Sequence, residues 1–483
     1  MIKTVTKIKK INLKKLNSKI NLCFNFMKKR CKKGMKIIKI LFVMVILLIS
    51  AGIFADNINS EDLKNNSNKE LNALESTEAE EDEHWFKFSG VSNTTLLSAS
   101  KKNLVDMDGK KVDKNYFLED IEFNMEAKIA ENFKAYTTIS LGNYMDFIDG
   151  ESDSYNLKVI PYYLYLNYED EKYGKLNAGI IPFQINPYVM ERADDDTYSE
   201  NDRMEDGNYA MNGVDCEIKI KNIELKTWFL TMAKYGWHDS TLFDRYLFGD
   251  MKYNFGAQVK TSFGNDISVS ALYMAIANNG DEDYKAGIFG GNVNVPFENF
   301  YLDFNYYTQN LNTNAKTLYD NSYNMDIKVG YSDDNLDIFG GYRTVQAGYD
   351  APGSWDPSGV GANFTNVKGW YGEFNYSISD LFDVYGFYKN YSPDNKDYEN
   401  FDNVKNIMIG LNYNITETQS VWAEYEKFNV LSGDEVSNYY TLGWRNDFSE
   451  SLNFRLFYQY IDNNFDGDRN KGSLFNAQLR FSF

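Results

Sequence analysis

The nine residues Ile121-Glu122-Phe123-Asn124-Met125-Glu126-Ala127-Lys128-Ile129 alternate apolar and polar side chains without a break. In a β-strand successive side chains point to opposite faces, so this segment reads as a strand with one apolar and one polar face. The two-residue period returns along the chain. Val214, Cys216, Ile218 and Ile220 alternate with Asp215, Glu217, Lys219 and Lys221. The same holds around Phe300–Tyr306, Tyr323–Tyr331, Ile407–Ile415 and Leu452–Tyr460. At the C-terminus Phe475, Ala477, Leu479, Phe481 and Phe483 alternate with Asn476, Gln478, Arg480 and Ser482. Each such strand buries one face in an apolar medium and wets the other.

The breaks between strands alternate as well. Short turns fall near Glu131-Asn132, Glu169–Lys172, Lys221-Asn222, Gly264-Asn265, Pro296–Asn299, Asp333-Asp334, Ser379-Asp380, Thr416–Thr418 and Asp447–Glu450. Longer loops lie between them, at 99–117, 147–154, 185–208, 235–247, 279–283, 309–322, 347–365, 391–402, 429–436 and 463–470. Threading strands between these breaks gives about twenty, with eighteen as the alternative, each of about 10–14 residues. That exceeds the usual five or six residues of globular sheets and matches a tilted crossing of a bilayer. An open sheet edge in lipid leaves amides unpaired at a cost of several kcal/mol each, so the sheet must close. The expected fold is all-β, a transmembrane antiparallel up-and-down barrel of about 18–20 strands, with short turns on the periplasmic side and long loops outside.

Composition agrees and excludes other classes. The 483 residues hold 50 Lys+Arg against 69 Asp+Glu, a net charge of −19. Residues 1–55 contain fourteen basic residues and no acid; without them 36 basic and 69 acidic residues are left, a net charge of −33. Such a surface repels nucleic acid. Disordered acidic chains are poor in aromatics, whereas this one has 37 Tyr and 34 Phe. Mean hydropathy is −0.51 although 43% of residues are hydrophobic, as alternation requires. The one long apolar run, Ile37–Phe54, follows Lys36 and ends in small residues before Ala55-Asp56, which reads as a cleaved signal peptide; an uncleaved anchor is the alternative. Met35 to Ala55 is already complete as a signal, so Met27 or Met35 is an alternative start. Residues 56–84 read as an acidic flexible linker, and 85–483 as the barrel. Cys216 alone lies beyond the leader, on the apolar parity, so no disulfide and no cysteine metal site is expected there.

The terminal Phe481 and Phe483 on an alternating last strand resemble the sorting signal of Gram-negative outer-membrane proteins. From Trp85 to Phe483 the chain resembles a Gram-negative porin. The fifth strand carries Gly179-Ile180-Ile181-Pro182-Phe183, followed by Glu191-Arg192 and Gly213-Val214. This is faintly similar to phosphate-selective and related substrate-specific porins. Those channels line the pore with basic residues, and this chain is acidic, so anion selectivity is not carried over. In the porin family the third long loop folds into the barrel and narrows it. Here that loop, 185–208, holds Glu191, Asp194, Asp195, Asp196, Glu200, Asp202, Glu205 and Asp206 against Arg192 and Arg203. Carboxylates in a constriction concentrate cations and exclude anions. The alternative is a solvated surface loop that binds divalent cations with neighbouring lipopolysaccharide.

Four arginines, Arg343, Arg445, Arg455 and Arg480, have the polar parity and are expected in the lumen. Arg445, Arg455 and Arg480 belong to the last three strands, toward the periplasmic end. A positive wall facing an acidic loop sets a transverse field; pairing with lumen carboxylates for stability is the alternative. No calcium site is expected, because the acidic loop lacks the EF-hand spacing. Catalysis is not expected either: the only two histidines, His84 and His238, lie in the linker and in a loop, His238 beside Asp239 and Ser240. The 29 residues from Asp56 to His84 are too few for the plug of a TonB-type transporter.

The reading is an outer-membrane porin, a passive diffusion channel for small hydrophilic solutes, cation-preferring, with no cofactor. A surface adhesin or antigen, or a substrate-specific channel, is the alternative. Expected partners are outer-membrane lipid and lipopolysaccharide, the barrel-assembly machinery and the solutes. A homotrimer is what the resemblance implies.

Overall fold

Strands with one apolar and one polar face keep those faces on common sides of a sheet only if pairing holds register, because a one-residue slip turns a strand over. The computed structural model describes residues 85–483 apart from 101–103, 106–110, 113–114, 143–157, 192–207, 233–250, 265–266, 279–284, 313–320, 350–365, 396–402, 430–435 and 466–467. The strands are β1 (Phe86–Ala99), β2 (Leu104–Val105), β3 (Lys111–Val112), β4 (Asn115–Ala130), β5 (Phe133–Gly142), β6 (Lys158–Asp170) and β7 (Gly174–Phe183). They continue as β8 (Tyr209–Ile220), β9 (Ile223–Met232), β10 (Met251–Phe263), β11 (Ile267–Asn278), β12 (Lys285–Phe297), β13 (Phe300–Asn312), β14 (Asn321–Ser332) and β15 (Leu336–Val345). The last are β16 (Val367–Ser379), β17 (Phe382–Pro393), β18 (Val404–Thr416), β19 (Gln419–Asn429), β20 (Val436–Ser449), β21 (Leu452–Phe465) and β22 (Asp468–Ser482).

All but β2 and β3, which form a small hairpin of their own, join one 20-stranded antiparallel sheet in chain order. The sheet closes on β1. One edge of β1 pairs with β4, from Phe86 facing Ala127 to Ser98 facing Asn115. The other pairs with β22, from Val91 facing Ser482 to Ala99 facing Leu474. Phe483 continues this seam, exchanging backbone hydrogen bonds with Gly90 at 2.8 and 3.0 Å. Of the two strand counts the loop spacing allowed, twenty is the one found.

Buried side chains identify the inner face. Leu118 of β4 packs in one cluster with Leu97 of β1, Trp422 of β19 and Phe457 of β21, which only the barrel interior can bring together. Asn124 shares the parity of Leu118 and faces the lumen, where Thr138 donates to it at 2.6 Å. Ile121, Phe123, Met125, Ala127 and Ile129 therefore face outward, as their period predicts. The outer face is apolar on every side: Leu164, Phe229, Phe289, Trp370, Leu442 and Phe448 are all at least half exposed. Water would not tolerate such a continuous surface; a bilayer core requires it. Aromatic pairs bound this band, Phe133 with Tyr168 at 4.9 Å near the short turns, and Tyr425 with Tyr440 at 5.1 Å near the long loops.

The inner face departs from a uniformly polar wall. Near the long-loop ends the lumen positions of β7 and β11 carry Ile181, Phe183, Leu272, Met274 and Ile276, all 2% exposed or less. They belong to one large buried cluster that also contains Tyr188, Val189 and Met190 from the segment after β7. Apolar side chains are tolerated inside the barrel because a loop folds in to cover them.

Candidate functional site

The loop after β7 enters the lumen through a tight turn. Asn186 organises it: its carbonyl accepts from the amides of Val189 and Met190, and its side-chain oxygen accepts from the amide of Tyr188 at 3.0 Å. Pro187 follows with the fixed φ such turns favour. Ile185 and Met190 close the base, N–H to carbonyl, at 2.8 Å. The tip reaches β14, seven strands round the wall from β7. There the Tyr188 hydroxyl donates to Asp326 at 2.7 Å, and Tyr371 of β16 donates to the same carboxylate at 2.8 Å. The Arg343 guanidinium lies 5.4 Å from the centre of the Tyr188 ring and donates from Nε to Asn324. Further ties run from Asn186 to the Tyr307 hydroxyl (3.0 Å), from the Tyr349 hydroxyl to the Tyr188 carbonyl (2.8 Å), and from Asn254 to the Met190 sulfur (3.2 Å). This strap spans the lumen as a chord and narrows it.

Glu191 ends the described strap, and burial raises its carboxyl above the ordinary range. The other acidic candidates, Asp194, Asp195, Asp196, Glu200, Asp202, Glu205 and Asp206, lie outside the described residues, as does His238.

Nearer the short turns the lumen opens into a cavity of about 800 Å³ on the arc from β16 to β21. Its lining is polar and carries both signs of charge. Arg445 on β20 and Arg455 on β21 face each other directly in the register. Their like charges are tempered by neighbours: Arg445 donates to Asp447 at 2.9 Å, and Arg455 lies 5.7 Å from the centre of the Trp422 ring. Toward β17 the lining is acidic. Asp383 accepts from Ser377 (2.7 Å) and Asn412 (3.2 Å), and Glu424 accepts from the Tyr385 hydroxyl. Arg480 on β22 stands one strand beyond Arg455, opposite Asn453 and Asn93. Arg445, Arg455 and Arg480 are thus neighbours, whereas Arg343 is set apart from them, on the strap's anchor.

Sequence reasoning did not single out Tyr188, Asp326, Tyr371, Trp422, Asp383 or Glu424. For the three carboxylates Asp326, Asp383 and Glu424 a signal existed, an acid on lumen parity. For the aromatic residues none did, since Tyr and Trp are as much at home in a girdle. Among the described residues no group of three or more His, Cys, Asp or Glu side chains is placed to hold a metal ion.

An apolar outer belt, a closed wall and a wet, strapped lumen define a membrane-spanning β-barrel. No protein-family model matches the sequence, and no curated protein does. Among solved structures, the chain is similar to OpdK of Pseudomonas aeruginosa in its complex with vanillate, at 9% identity over 82% of this chain and 98% of that one, with a TM-score of 0.49. OpdL of the same organism is similar at 11% identity over 82% and 98%, with a TM-score of 0.48. OccK11 (OpdR), also from that organism, is similar at 9% identity over 82% and 96%, with a TM-score of 0.49.

Proposed function

We propose that the chain is a diffusion channel of the Gram-negative outer membrane that admits particular small hydrophilic solutes. The observation that carries this is the strap: Ile185–Glu191 lies inside a closed barrel, tied to Asp326, above a polar cavity of about 800 Å³. A path of this kind is narrow enough to discriminate and wet enough to pass polar solutes. The acidic residues that continue the strap, from Asp194 to Asp206, are proposed to sit at the constriction and favour cations. Arg445, Arg455 and Arg480 are proposed as the positive side of a transverse field deeper in the lumen, with Asp383 and Glu424 as its negative side. Export by the leader 1–55, insertion by the barrel-assembly machinery and assembly into trimers belong to the same reading. The choice of a selective channel over a general pore rests on the extent of the strap's anchoring.

Single-channel recording of the refolded full chain in planar bilayers, under a salt gradient, tests this. Stable conductance steps with a reversal potential on the cation side are expected. The double variant Arg445→Glu/Arg455→Glu is expected to move that potential further toward cations. Absence of steps from a folded barrel would overturn the channel; steps with anion preference would overturn the acidic filter and leave the arginines as the selective element.

A further inference from the structure

The outer surface of β18–β22 carries a second ordered feature, independent of what crosses the lumen. Tyr425, Tyr440 and Tyr460 face one another in direct register on three adjacent strands, with rings 5.1 and 6.2 Å apart. Such a row marks the boundary between hydrocarbon and headgroups. One step toward the long loops, the register continues as Lys427, Asn438, Asp462 and Lys471. One step further stand Lys405, opposite Asn429, and Arg469, opposite Asn464. Four cations and one carboxylate thus occupy the headgroup level of a chain whose net charge is −19.

The cations form two poles. Lys405 and Lys427 are diagonal neighbours on β18 and β19. Arg469 and Lys471 share one face of β22, where Asp462 holds them at 3.0 and 2.7 Å. Three strand spacings, about 14 Å, separate Lys427 from Lys471, with Asn438 between them. Elsewhere on the described outward rim basic residues stand singly, as with Lys285 and with Lys368, which pairs with Asp394 at 3.3 Å.

We infer that this arc is a docking surface for an outer-leaflet glycolipid bearing two phosphates, the lipid A part of lipopolysaccharide. Each pole meets one phosphate through charge-assisted hydrogen bonds, the central asparagine amides meet the sugar between them, and the tyrosine row lies against the upper acyl chains. Two poles at this spacing suit an extended diphosphorylated headgroup better than a single small anion. The inference shares with the proposed function only the membrane placement.

The test is the apparent Kd of the refolded full chain, in a zwitterionic detergent, for diphosphorylated lipid A. Binding that weakens with salt is expected. The variant Lys405→Gln/Lys427→Gln/Arg469→Gln/Lys471→Gln is expected to lose at least about tenfold in affinity. Lys285→Gln/Lys368→Gln, on the remaining rim, is expected to bind as the parent does. Heat-modifiable migration and unchanged conductance steps verify that the barrel is intact, and separate the lipid site from the channel. If the fourfold variant does not fold, the two poles are neutralised one at a time, each with a several-fold loss expected. Parent-like binding by these variants, or equal binding of lipid A stripped of its phosphates, would overturn the inference. So would competition by inorganic phosphate at the same concentration, which would assign the arc to a free anion.

Discussion

Placing one arginine on either side of the wall tests the facing of the barrel directly. Met125 points outward on β4. Its partner on β5 is Thr137, four residues from Phe133, whose ring pairs with Tyr168 at the short-turn boundary of the apolar band. At about 3.3 Å per residue and a tilt near 40°, that places Met125 roughly 10 Å into the band. The band is about 25 Å tall, so Met125 lies close to the midplane, where an arginine costs about 2–4 kcal/mol. Asn124, the next residue, faces the lumen. Arginine there gives up the bond from Thr138, worth about 1 kcal/mol, and meets the carboxylate of Glu122, to which Asn124 now donates at 2.8 Å. Its net effect should stay within about 1 kcal/mol. Equilibrium urea unfolding of the full chain in lipid vesicles, followed by tryptophan fluorescence, measures both variants. Met125→Arg is expected to be the less stable by about 2 kcal/mol or more. Equal losses, or a larger loss for Asn124→Arg, would refute the facing derived from the period and the buried clusters.

Two further outcomes are expected. Asp326→Ala removes the common acceptor of Tyr188 and Tyr371 and leaves Arg343 opposite an empty position, so it should destabilise the barrel by about 3 kcal/mol and enlarge the single-channel steps as the strap loosens; parent-like stability and step size together would show that the strap is not held there. In the turn before β15, the Tyr331 hydroxyl (2.7 Å) and the amides of Asn335 (2.9 Å) and Leu336 (2.8 Å) donate to Asp333 and hold its carboxyl below the ordinary range. The stabilisation is then complete above about pH 4 and fades as pH falls through the lowered folded-state value, so the stability gap between the parent and Asp333→Asn should narrow in that window; a gap that stays constant down to pH 2 would show that the carboxylate is not what these donors hold.

Much of the architecture can be read from local order. A strand's faces alternate residue by residue, so Ile121–Ile129 alone fixes which side chains share a face. The alternation of short turns and long loops fixes antiparallel order, and the intolerance of lipid for unpaired amides demands closure. The lumen parity of Arg445, Arg455 and Arg480 and their place on neighbouring strands follow from the same period. Tertiary structure alone decides what meets across the lumen. Tyr188 and Asp326 are 138 residues apart, and no period connects a loop to the wall it crosses. Arg343 has the same parity as the other three arginines, yet it serves the strap's anchor, because its strand lies on another part of the circumference. The apolar lumen residues of β7 and β11 are ambiguous for a related reason. Parity gives a side chain its face, but only the returning loop decides whether that face meets water or Tyr188, Val189 and Met190.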